Sequence, residues 1–167
     1  MSFNGAYMNL GNIMKISSAI SRSITAENVY GEKGKGGMAD LTEAAQPEVA
    51  KIGQKWDGPN PCARDLGLTW KVRPCITLPK ESLHTLMDVD GPGVIQHMWY
   101  TVDSKHWRDL ILRIYWDGET SPSVESPLGD FFCNGWKVPT PILALPINVN
   151  PTGGFNCSFP MPFRTHA

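Results

Sequence analysis

The chain has 167 residues with 41% hydrophobic side chains, enough for one domain with a buried core. Its formal net charge is -1 with scattered lysines and arginines, which argues against a nucleic-acid or anionic-membrane partner. Fourteen prolines and 16 glycines cut it into short pieces, and this favours a loop-rich β domain over a helical bundle.

The first 23 residues are mildly amphipathic, with Leu10, Ile13, Met14 and Ile20 spaced for a short helix leading into the domain. Asn4, Asn9, Asn12 and Lys15 interrupt any compact apolar run, so a secretory leader is not expected and the cytoplasm is the default location. No stretch is apolar for long enough to span a membrane as a helix.

Ser21 to Gly37, SRSITAENVYGEKGKGG, is the most unusual segment. It carries Glu27, Glu32, Arg22, Lys33 and Lys35 among closely spaced glycines, and it cannot be a core strand. One reading is a solvated loop. The other is a ligand loop, where glycines admit a close approach of backbone N–H groups and Arg22 and Glu27 bond sugar hydroxyls. It lacks the GK[ST] ending and preceding strand of a phosphate-binding loop.

Met38 to Ile52 is rich in helix formers and is broken at Pro47, so a short helix or turn is expected. Residues 53–67 read as a loop. Thr69 to Leu78 alternates like a strand that Pro74 confines to an edge or a bulge. Glu81 to Asp90 is a further strand candidate, with Leu83, Met87 and Val89 apolar.

Gly91-Pro92-Gly93 then turns the chain into the stretch that organises it. Val94 to Val102 reads as one strand and Leu110 to Trp116 as another. In the second, Leu110, Leu112, Ile114 and Trp116 share one face, and Ile111, Arg113, Tyr115 and Asp117 the other. Asp117-Gly118 supplies the positive φ angles of a tight hairpin turn. Further on, Ile142, Leu143 and Leu145 suggest a short buried piece, and Phe155, Cys157 and Phe159 alternate as a strand does. The sequence stops at Ala167, directly after PMPFR, as a chain cut short would.

The four cysteines, Cys62, Cys75, Cys133 and Cys157, have no metal-motif spacing. Reduced thiols fit the expected compartment; a Cys62–Cys75 disulfide fits an exported protein. His84 and His97 sit in strand-like surroundings without a ligand pattern. No metal and no cofactor are expected.

Four ordered motifs, SRSITAEN–GEKGKGG, GPGVIQHMWYTV, LRIYWDGE–PSVESPLGDFFCNGW and FNCSFPMPFR, together resemble the DUF2961 family, also classed as glycoside hydrolase family 172. The resemblance runs from about Leu10 to Ala167. It implies a retaining furanosidase that acts on substrates such as α-D-fructofuranosides, difructose dianhydrides or D-arabinofuranosides with two glutamates. It also implies two jelly rolls and assembly as trimers or their multiples. This chain matches the first jelly roll alone, and the family's catalytic glutamates belong to the part after PMPFR. A second departure is Cys133, where the family usually has glycine, and a bulkier residue there is expected to narrow a nearby pocket.

The expected fold is therefore mostly β: a single jelly roll, or antiparallel β-sandwich, over residues 21–167, with a lead-in segment over 1–20, a short N-terminal helix and long loops. Retaining hydrolysis needs two carboxyls about 5–5.5 Å apart. Asp117 and Glu119 are near each other but read best as turn chemistry. The catalytic residues are not identified; Glu27 is the better candidate, for substrate contact first and only weakly for catalysis, its other reading being a loop carboxylate paired with Arg22 or Lys33. Ser21, Arg22, Glu27, Asn28, Lys33, Asp130, Asn134 and Trp136 are the expected substrate-binding residues. Asp130 reads equally as a turn cap, and Trp116 as core. Arg164 is a speculative contact to a carboxylate of the second roll. The expected partners are a carbohydrate and either further copies of the chain, as a trimer or hexamer, or a chain carrying the second jelly roll. A non-catalytic self-assembling scaffold and a carbohydrate-binding module are the competing readings.

Overall fold

The computed structural model describes residues 10–12, 14–37, 75–76 and 78–167. The expected helix over 38–52, the loop over 53–67, Cys62 and most of the Thr69–Leu78 strand lie outside them. The chain divides into two compact units, residues 1–19 with 89–167, and residues 20–88. The expected domain over 21–167 spans both.

The first unit is antiparallel β throughout. Its strands are β1 (Gly93–Ile95), β2 (Met98–Tyr100), β3 (Ile111–Ile114), β4 (Val124–Pro127), β5 (Ile142–Leu143), β6 (Ile147–Val149), β7 (Phe155–Cys157) and β8 (Met161–Phe163). One short helix, α1 (Leu128–Phe131), follows β4. The strands pair as a four-stranded sheet, β2-β7-β6-β5, and as the two ladders β1-β8 and β3-β4.

Alternation decides what is buried. In β3, Leu112 and Ile114 are buried while Ile111 and Arg113 are exposed, as the pattern requires. Arg113 Nε donates to Glu125 Oε2 at 2.6 Å across the ladder, and this bond raises the guanidinium pKa. In the four-stranded sheet, Met98, Cys157 and Ile147 form one inward row, and Tyr100, Phe155, Val149 and Ile142 the next. With Trp107, Leu128 and Phe132 these side chains make one core. Phe132 stacks on Phe155 at 4.7 Å, and Trp107 tilts against Phe155 at 4.9 Å. Trp107 Nε1 donates to the Val102 carbonyl at 2.9 Å, so its polar edge is satisfied inside. Burial pushes the Tyr100 phenol up to about 12, with a smaller contribution from Cys157. Trp116 packs against this core, as expected.

Several expectations need correction. Val94–Val102 is two strands, broken at Gln96-His97, and neither half pairs with β3. The break lets β1 pair with β8 and β2 with β7. Gly93 lies under the Phe163 ring, where a Cβ would come within 2.4 Å of Cζ. Asp117 and Gly118 do have positive φ (51° and 84°), and Glu119 N donates to the Trp116 carbonyl at 2.9 Å. Yet the strands stop at Ile114 and resume at Val124, so the turn sits within a longer loop. The reason is Asp117, whose Oδ1 accepts from the N–H groups of Arg164 (2.9 Å), Thr165 (2.7 Å) and His166 (3.2 Å) and from the Thr165 hydroxyl (3.0 Å). The turn is drawn to the segment after β8 instead of closing β3 on β4.

Glu81–Asp90 forms no strand; Leu83 is exposed, and pairing occurs only where Val89 and Asp90 meet Ala167 and His166. Of the expected N-terminal helix, the described residues hold a 3-10 turn, Leu10–Asn12, with Met14 and Ile20 exposed. In the 142–149 hairpin the buried residues are Ile147 and Val149, while Leu145, at the turn, is 97% exposed. Phe155 and Cys157 are buried as expected, but Phe159 lies past the end of β7 and is exposed.

Candidate functional site

The expected site residues fall into two sets, one in each unit. Ser21, Arg22, Glu27, Asn28 and Lys33 lie on the 21–37 loop. There Thr25 and Asn28 exchange backbone hydrogen bonds (3.2 and 3.0 Å), with Ala26 and Glu27 at the tip. The Thr25 hydroxyl accepts from the Glu27 N–H at 3.2 Å. Asn28 is the pivot. It is only 7% exposed; its Nδ2 donates to the carbonyls of Ser23 (3.2 Å) and Glu32 (3.0 Å), and its Oδ1 accepts from Glu32 N–H at 3.0 Å. Gly31 closes the turn at φ +62°, where a Cβ would meet Ile24 Cγ1 at 2.9 Å. Asn28 thus holds the loop's shape rather than facing outward, while Ser21, Arg22 and Lys33 are exposed. Arg22 Nη1 donates to the Ser21 carbonyl at 3.0 Å.

The second set surrounds α1. Pro127 caps the helix without a side-chain bond, and the first N–H groups are satisfied instead by the segment that leads into β3: Leu128 N donates to Leu110 O and Gly129 N to Trp107 O, both at 2.8 Å. The helix ends in a Schellman motif. Cys133 N donates to Asp130 O at 3.0 Å and Asn134 N to Gly129 O at 2.7 Å, with Cys133 at φ +61°. This left-handed position suits glycine, which accounts for the residue the family resemblance expects there. The Cys133 side chain is exposed.

Asn134 is 1% exposed. Its Nδ2 donates to the carbonyls of Phe132 and Thr140, each at 3.2 Å, and its Oδ1 accepts from Thr140 N–H at 2.8 Å. It therefore ties the loop 135–140 to the helix end and offers nothing to a ligand. At the crest of that loop Trp136 is 87% exposed.

Ordered charges surround this indole's loop. Lys137 Nζ donates to Lys105 O at 2.7 Å and to Asp109 Oδ1 at 3.0 Å, and His106 Nδ1 lies 3.1 Å from Asp109 Oδ2. The Lys137 bond, then the His106 bond, hold the Asp109 carboxyl below the usual range. Arg108 Nε donates to Asp130 Oδ2 at 3.0 Å, and Asp130 Oδ1 lies so close over Gly135 that a Cβ there would approach to 2.5 Å. His106, Arg108, Asp109 and Lys137 were not among the residues expected from sequence. The dense run Ser104–Asp109, opened by Asp103 capping a 3-10 turn (Ser104–His106) through Lys105 N, was the available signal for the first three.

The remaining carboxylates of the strand region are structural. Asp117 holds the residues after β8, and Glu119 folds back on Trp116 N (3.2 Å) and the Ser123 hydroxyl (2.9 and 2.7 Å). Arg164 meets Asp117 through its backbone N–H. His97 Nε2 lies 3.2 Å from Asn156 Oδ1. The Asp130–Trp136 patch can stack a sugar's C–H face on the indole and bond hydroxyls through fixed charges.

The antiparallel strands and the little helix beside them make this a mostly β domain. The profile of the GH172 first beta-sandwich domain matches residues 65–167, more than half of the chain. The chain belongs to this glycoside hydrolase family, and its strands form that first sandwich. The match leaves the 21–37 loop outside its span. No curated protein matches the chain.

Proposed function

We propose that this chain is the first sandwich of a retaining, furanoside-cleaving glycosidase of the α-D-fructofuranosidase, difructose-dianhydride or D-arabinofuranosidase type. It supplies sugar contacts and assembly surface, and a second sandwich, on the same or a partner polypeptide, supplies the two glutamates. The family match carries this reading. Five carboxylates of the described sandwich support it: Asp109, Asp117, Glu119, Glu125 and Asp130 are each tied to cations, hydroxyls or backbone N–H groups. Asp130 and Trp136 contact the sugar in this reading, and Ser21, Arg22, Glu27 and Lys33 form a second contact loop.

The test is turnover of aryl α-D-fructofuranoside and α-D-arabinofuranoside. The purified 167-residue chain is expected to be inactive alone and active when joined by a second sandwich of the family. Turnover by this chain alone, lost in Glu27→Gln, overturns the placement of the catalytic pair.

A second reading is a non-catalytic jelly roll that assembles with itself as a trimer or hexamer. The exposure of Trp136, Val138, Leu143 and Leu145 within one short stretch favours it. A discrete oligomer that shows no turnover, with or without a second sandwich, supports this reading over the first.

A further inference from the structure

The outward face of the four-stranded sheet differs in kind from the inward one. One cross-strand row runs Trp99–Asn156–Asn148–Leu143 across β2, β7, β6 and β5. Strand spacing makes this row about 14 Å long. Asparagine is a poor strand former, yet two stand side by side at its centre.

Asn156 is explained by its bonds. Its Nδ2 donates to the carbonyls of Gly154 (3.2 Å), Asn150 (3.3 Å) and Asn148 (3.5 Å), which gathers the β6–β7 turn. Three carbonyls around the nitrogen fix the amide's orientation and leave Oδ1 to face His97 Nε2 at 3.2 Å. A neutral His97 ring that donates from Nε2 keeps Nδ1 as an acceptor, and the ring is exposed. Trp99 is 49% exposed, with its Nε1 3.5 Å from where a Cβ on Gly154 would sit, so the backbone lies close beside the indole. Asn148 makes no side-chain hydrogen bond among the described residues, so no local bond accounts for an amide there.

We infer that this row is a non-catalytic saccharide-binding face, with Trp99 as the stacking platform, His97 Nδ1 as an acceptor for a sugar hydroxyl, and the Asn148 amide as donor and acceptor for a second. The row carries no carboxylate, lysine or arginine, which fits a neutral polyol chain laid across the strands better than a charged ligand. A protein interface needs on the order of 1,000 Å² with a packed apolar centre, and this row offers a single aromatic followed by amides. The inference does not rest on the proposed hydrolase activity, and it uses none of the residues of the Asp130–Trp136 patch.

The test is affinity electrophoresis of the full chain in gels containing inulin, arabinan or mixed-linkage β-glucan, with size-exclusion chromatography alongside. The wild type is expected to be retarded by at least one of the three. Trp99→Ala should weaken retardation about tenfold, the loss of one stacked ring, and Asn148→Ala several-fold, while Ile111→Ala, on the outer face of β3, leaves it unchanged. If Trp99→Ala also lowers the melting temperature, His97→Ala decides: weakened retardation upholds the inference, and full retardation overturns it. No retardation of the wild type by any of the three overturns it. So does a Trp99→Ala effect on oligomer size with retardation intact. Furanoside turnover, measured separately with a second sandwich of the family supplied, is expected to be indifferent to all of these variants.

Discussion

Two loops in this protein are built by the same device and rest on different foundations. In each, a buried asparagine spends both ends of its amide on the backbone: Asn28 on Ser23 and Glu32, Asn134 on Phe132 and Thr140. Asn134 follows Phe132, which is fully buried against Phe155, so its clamp is an extension of the core. Among the described residues Asn28 has no such anchor in its own loop; its described neighbours are backbone hydrogen bonds, Gly31 and the partly buried Ile24. A clamp set on a packed core shares the core's cooperativity, whereas one held by local bonds opens on its own.

Replacing each asparagine sharpens the contrast. Asn134→Ala strips the Thr140 N–H and two carbonyls of their partner in a dry site and is expected to cost about 2–4 kcal/mol of global stability. Asn28→Ala removes as many bonds but should barely move the global melt. Its expected signature is faster proteolysis between Ser23 and Glu32. Urea melts of the two variants with limited proteolysis measure this, and equal losses of global stability would erase the distinction between the loops.

A second contrast concerns Asp117, which holds the segment after β8 without being buried. Four hydrogen bonds, the Thr165 N–H first, lower its carboxyl to about 2. Its folded pKa is depressed, so its contribution is fully present above the unfolded value of about 4. That contribution fades as pH falls through the folded value. Between about pH 4 and pH 2, the wild type should lose stability that Asp117→Asn, already lacking the carboxylate, does not. Urea midpoints across that range check it, and parallel curves for the two proteins would show that the latch contributes nothing.

What the sequence made legible follows from where each signal is encoded. Period-two alternation in Leu110–Trp116 and Phe155–Cys157 is local, and it correctly sorted Leu112, Ile114, Phe155 and Cys157 to the inside. Pairing is not local: nothing in Val94–Val102 announces that its halves belong to β8 and β7, because those partners lie some sixty residues away. Asp117-Gly118 was rightly read as a turn, but the carboxylate's real partners, Arg164 to His166, are distant in sequence. Among candidate site residues, Trp136 stands out in the structure as in the sequence, whereas Asn28 and Asn134 lie buried in clamps. An asparagine that binds a ligand and one that binds its own backbone look alike in a string of letters. The charges of Lys137, Asp109 and Arg108 were hidden for the same reason, since their pairing crosses between loops.

Cys133 offers the smallest expected effect and the finest resolution of the two clamps. It occupies the left-handed position that ends α1, one residue before Asn134, at φ +61°. A side chain there strains the backbone by about 1 kcal/mol, and glycine relieves that strain while adding freedom to the unfolded chain. The balance predicts that Cys133→Gly raises stability by roughly 0.5–1 kcal/mol. The gain should appear in the global melt, because this cap shares the core with Asn134. It should leave protease sensitivity of the 21–37 loop untouched, because Asn28 and Gly31 shape that loop by local bonds. A stabilised global melt without change in the loop would place the cap and the Asn134 clamp in one cooperative unit. An unchanged or lowered melt would mean that the cysteine side chain, exposed as it is, makes good the strain of its own backbone.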